Sequence, residues 1–117
     1  MDSKENDWKL YKKNIGAWQE RYMDKILEEY KEIIDRKEVA SKRFWNLYHR
    51  IKDDLENPGV LIASASRNNL KDIILSLYSH NVITFEELND FSDEIKDYIK
   101  LVMNIKWFKY LIKAACQ

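Results

Sequence analysis

Apolar residues recur along this chain with the period of an α-helix, and the longest coherent run comes first. Trp8, Tyr11, Ile15, Trp18, Tyr22, Met23, Ile26, Tyr30, Ile33 and Ile34 fall within roughly half of a helical circumference. The stripe does not drift, so it predicts one helix over about 5–35, on the order of 45 Å long. Gly16 is its weak point, at ~1 kcal/mol against Ala, and a site where it could bend. Trp and Tyr make up much of the stripe, which predicts a wide groove filled by rings whose polar atoms reach its edge. On the opposite face Lys25–Glu29 and Glu32–Arg36 are spaced to pair one turn apart.

The charged segment Asp35–Ala40 lacks the stripe and reads as a connection. Ser41 is the expected N-cap of a second helix over 41–56. That helix carries Phe44, Leu47, Tyr48, Ile51 and Leu55 on one face, with Trp45 beside them. Asn57-Pro58-Gly59 ends it, with Pro58 presetting φ and Gly59 expected to supply a positive φ. The following stretch to Ser66 carries no charge. It reads either as an apolar connection packed along the bundle or as a strand edge offered to another chain.

A third helix is expected over 66–80, capped by Ser66 or Asn68, with Leu70, Ile73, Ile74, Leu77 and Tyr78 on one side. Asn81 suits the left-handed residue that closes it. Thr84-Phe85-Glu86-Glu87 has the form of a capping box and opens a short helix over 85–91. Ser92 caps the last helix, 93–115.

That last helix changes face. Ile95, Tyr98, Ile99 and Val102 form one stripe; Leu101, Ile105, Phe108, Leu111 and Ile112 form another, rotated by roughly 100°. Nine of the twelve residues from Leu101 to Ile112 are apolar, and the polar strip is narrow, held mainly by Lys106, Lys109 and Lys113. A helix apolar nearly all round must be covered on most sides. It therefore either threads between neighbours or packs its end on a second copy or another partner.

Composition sharpens the class. The chain has 117 residues with two Gly and one Pro, too few turn formers for an all-β fold. The pattern predicts an all-α, single-domain helical bundle of four to five helices with one long N-terminal helix. That helix should pack against 41–56 and the last helix, with 66–80 and 85–91 closing one end. Lys plus Arg and Asp plus Glu stand at 20 each, so no global field draws the chain to nucleic acid or an anionic membrane. The single cysteine, Cys116, rules out an intramolecular disulfide and predicts a reducing compartment, hence the cytoplasm. The N-terminal residues lack the apolar core of a secretory leader, and no stretch reaches the ~20 apolar residues that span a bilayer.

Catalytic signatures are weak. There is no glycine-rich phosphate loop, nucleophile elbow or H-E-x-x-H. His49 and His80 fall on different helices, His49 off its apolar stripe and His80 at a helix end. Two histidines and Cys116 do not suggest a zinc set, and no cofactor or metal is expected. Asp53-Asp54 and Glu86-Glu87 read as solvated charge or capping. Catalysis by carboxylates and tyrosines in an aromatic groove is a third-ranked reading.

The order helix 67–80, short link, helix 85–91 has helix-turn-helix proportions, which makes a nucleic-acid-binding regulator the first alternative. Its second helix, however, carries Glu86, Glu87 and Asp90 and no base, which phosphates would repel. A membrane-surface role is the second alternative, from Trp107, Phe108 and Tyr110 among lysines. An in-plane helix keeps one broad polar face, and this one does not. The favoured reading is a non-enzymatic protein-binding module whose partner is another protein or a second copy. Its partner-binding residues would be Trp45, Met103, Lys106, Trp107, Lys109, Tyr110 and Lys113, since aromatic anchors concentrate at interface hot spots.

Trp18-Gln19-Glu20-Arg21-Tyr22-Met23, Phe44-Trp45-Asn46-Leu47, Arg50-Ile51-Lys52 and Pro58-Gly59-Val60 resemble a group of short bacterial proteins of low-GC Gram-positive type. The resemblance spans residues 8–100 and brings no activity with it. It implies an origin on a phage or plasmid, where small inhibitors of host systems are common.

Overall fold

The computed structural model describes residues 2–115. Four α-helices and one 3-10 turn follow in order: α1 (Ser3–Asp35), α2 (Ala40–Asp54), α3 (Leu70–Ser79), the turn Phe85–Leu88, and α4 (Asp93–Ala115). The all-α class and the long N-terminal helix are as expected. Cys116, which carried the redox expectation, lies outside the described residues.

The core is built at one end of α1. Tyr11 and Trp18 from α1 meet Leu70, Ile74 and Leu77 from α3, and Ile95 and Ile99 from α4. Val82, Ile83, Leu88 and Phe91 from the α3–α4 connection complete it. The Trp18 and Phe91 rings lie 6.3 Å apart. The start of α1 is fastened to the start of α4 by Asp7, which is only 3% exposed. Its carboxylate accepts from the Ser92 amide at 2.8 Å and the Ser92 hydroxyl at 2.6 Å. Ser92 Oγ in turn accepts from the Ile95 amide at 3.4 Å, capping α4 as expected.

Local signals between the helices were mostly right. Asn81 takes φ 61°, and Val82 N donates to Leu77 O at 2.9 Å, which closes α3. Glu87 reaches back to the Thr84 amide at 2.7 Å. The element this starts is a single 3-10 turn, Phe85–Leu88, and not a helix to 91. A turn that short cannot serve as a groove-reading helix, so the helix-turn-helix proportions fail.

Other details are corrected. α2 begins at Ala40 with Val39 at its N-cap, so Ser41 is not the cap. Arg43 closes that corner by donating to Ile34 O at 2.7 Å and Glu38 O at 3.0 Å. α3 begins at Leu70, four residues later than expected, because Asn69 folds back onto the Ser66 amide and Ser64 carbonyl. Gly59 does not have a positive φ. It is needed for space: a Cβ there would lie 2.7 Å from Tyr22 Cγ and 2.9 Å from Val82 Cγ2. Residues 57–66 form a turn and an irregular connection with Ile62 packed on the core, and no strand forms among the described residues. Lys25 lies over the Tyr22 ring, 5.9 Å from its centroid, while Glu29 reaches across to Arg50 on α2. Arg36 leaves the helix altogether at φ −61°, ψ 147°.

The largest departure is α2. It runs back antiparallel along the second half of α1 but adds no residue to the core. The expected bundle is therefore open: a core at one end and a two-helix arm, α1–α2, at the other.

Candidate functional site

α2 is docked by its polar edge. Asp54 is the only buried residue of this helix. Its carboxylate accepts from the Tyr30 hydroxyl and from Arg50 Nε at 2.9 Å. Arg50 Nη2 also donates to Glu29 at 3.1 Å, and its guanidinium stacks 5.5 Å from the Tyr30 ring centroid. Beyond the end of α2, Asn57 Nδ2 donates to Tyr22 Oη at 2.9 Å and Gln19 Nε2 to Pro58 O at 3.0 Å. Burial, then the Asp54 hydrogen bond and charge, push the Tyr30 phenol up to about 12.

Because that edge faces α1, the apolar stripe of α2 faces away. Phe44, Tyr48, Ile51 and Leu55 are exposed, Phe44 at 64%, while Leu47, expected on the same stripe, is half-buried. Periodicity predicted this stripe but assigned it to the core. The missed signal is the row Arg43, Leu47, Arg50 and Asp54, which lies roughly 90° round the helix from the exposed residues; its Arg50 and Asp54 meet Glu29 and Tyr30 on α1. Trp45, also exposed, stands edge-on between Phe44 and Tyr48, at 5.3 and 5.7 Å between ring centroids.

α4 divides where its stripe changes. Ile95 and Ile99 are buried, Tyr98 donates to Asp72 on α3 at 2.6 Å, and Met103 packs against the core. From Asn104 to Ala115 every residue is exposed. Trp107 and Phe108 stand at 60% and 63%, with Trp107 and Tyr110 stacked 5.8 Å apart. The expected helix is present, but none of its neighbours in the chain covers its second half.

The proposed partner-binding residues are thus split. Lys106, Trp107, Lys109, Tyr110 and Lys113 share the projecting end of α4. Trp45 belongs to a separate patch on α2. Met103 turns inward, beside the open cleft lined by Tyr78 and Phe85.

Chemistry elsewhere is self-satisfied. A cleft of about 340 Å³ beside the start of α1 is lined by Glu5, Asp7, Arg67, Lys71 and Glu94. Glu5 and Arg67 pair there at 2.7 Å, and Arg67 covers the Trp8 ring. His80 Nδ1 lies 2.8 Å from Ser76 O at the end of α3, and His49 is exposed on α2. No three of His, Cys, Asp and Glu stand together as a metal-holding set among the described residues. No helix there is long and apolar enough to cross a membrane. Compared with known proteins, the chain matches no protein-family model, no curated protein and no solved structure.

Proposed function

We propose that this chain is a non-enzymatic protein-binding module, a small cytoplasmic regulator or inhibitor. It acts through the apolar and aromatic surface of α4, with Trp107 and Tyr110 as anchors and Lys106, Lys109 and Lys113 along the rim. The observation that supports it is the exposure of every residue from Asn104 to Ala115 in a segment dominated by large apolar side chains. Isolated surface apolar residues are ordinary; a contiguous helical surface of them marks a contact site. Its aromatic content suits the centre of an interface, where rings supply most of the binding energy. The bacterial, mobile-element origin implied by residues 8–100 belongs to the same reading and suits an inhibitor of a host system.

The test is affinity capture from the producing cells with wild type and Trp107→Glu. Chains retained by wild type, this chain included, should be lost with the variant while circular dichroism stays unchanged. Equal retention by both would remove α4 as the contact surface.

A further inference from the structure

The reading above leaves the partner's identity open, and the surface areas bear on it. The chain exposes 8503 Å². A compact monomer of its mass, 14.2 kDa, should expose only about 6,800 Å². Its radius of gyration is 17.6 Å, against about 13 Å for a compact chain of this length. The excess is therefore about 1,700 Å² per chain, or about 3,400 Å² for a pair, within the range of obligate homodimer interfaces.

The excess is concentrated in two places. Among the described residues, all of the exposed large apolar side chains except Leu61 lie on the α1–α2 arm or on the end of α4 from Leu101. Both surfaces are exposed, so neither covers the other within one chain. They match in length: Ala40–Asp54 and Leu101–Ala115 are fifteen residues each, about 22 Å of helix.

We propose that two copies of this chain pair about a two-fold axis, the end of α4 from each lying along the α2 stripe of the other. The inference rests on the protein-binding reading and names its partner. A reciprocal arrangement closes on itself, so it uses both surfaces of both copies and leaves no apolar face to propagate a fibre. The aromatic row of α2 then has the same role as the core-facing stripe its sequence resembles, but its core is shared between chains.

Size-exclusion chromatography with light scattering of the full chain should give twice 14.2 kDa at micromolar concentration. Phe108→Glu on α4 and Tyr48→Glu on α2 should each give a monomer with unchanged helical content; Phe44→Glu replaces Tyr48→Glu should that variant not fold. Mixing the two variants should restore dimer in part, because that pair keeps one intact α4–α2 contact. A monomeric wild type would overturn the proposal, as would a Tyr48→Glu chain that stays dimeric, which would mean pairing through α4 alone. A monomeric wild type whose capture of another protein is still lost with Trp107→Glu would leave the protein-binding reading standing. Loss of neither mass nor capture would overturn both.

Discussion

Two glycines show how one residue type has opposite consequences in this chain. Gly16 sits on the exposed side of α1 with nothing within 4 Å of a Cβ placed there. Gly16→Ala should stabilise the fold by about 0.5–1 kcal/mol, through the smaller entropy of the unfolded chain and the better helix propensity. Gly59 sits in the turn after α2 against Tyr22 and Val82, both of which would clash with a Cβ. Gly59→Ala should cost about 1–3 kcal/mol by overpacking. Urea unfolding of the two variants checks both signs. The sequence marked both positions as special but gave a different reason for Gly59. Turn chemistry alone suggested a positive φ; the requirement is the approach of a ring from residue 22, which no local pattern encodes.

Among the elements, α2 carries a polar fastening to α1, beside the buried Ile26 and Ile33 of that half of α1. The Tyr30–Asp54–Arg50–Glu29 group is its fastening. It makes the arm sensitive to alkali. Tyr30 is raised from 10.0 to about 12, so the folded state binds its proton more tightly than the unfolded state. That contribution is complete below pH 10.0 and is lost as pH rises toward about 12. Burial raises Tyr11 in the same direction, and the Asp72 hydrogen bond raises Tyr98, so the wild-type profile sums several phenols. Comparison with Tyr30→Phe separates them. The variant should lose about 1.5–3 kcal/mol at neutral pH, the value of a hydrogen bond to a charged group, and should show a shallower alkaline step in thermal melts followed by circular dichroism. An unchanged alkaline step would remove Tyr30 from the fastening.

In the whole molecule, the fold closes where the chain's two ends of the core meet. Asp7 and Ser92 are separated by 85 residues, and their paired hydrogen bonds seat α1 against α4. Asp7→Ala would leave the Ser92 amide without its acceptor in a partly buried site and should cost about 1–3 kcal/mol, read as a lower urea midpoint with an unchanged slope. Acid also bears on the closure of this end. Burial works against ionisation of Glu87, yet Arg21 and the Thr84 amide together hold its carboxyl below the ordinary value. Its stabilising effect is present above the unfolded carboxylate range and is lost as pH falls through the lowered value.

Sequence by itself determined the class, the long N-terminal helix and several helix ends. Helix period, the Thr84–Glu87 box, the Ser92 cap and the left-handed Asn81 are all local, each acting within about a turn of chain, so they survive reading without a structure. It also marked the end of α4 as more apolar than one stripe needs. Only the tertiary structure decided which face of α2 meets α1, and that the end of α4 has no cover in its own chain. The reason is physical: the choice between two faces of an amphipathic helix depends on partners far along the chain. Here Tyr30 and Glu29, 24 and 21 residues from Asp54 and Arg50, outweigh the local stripe.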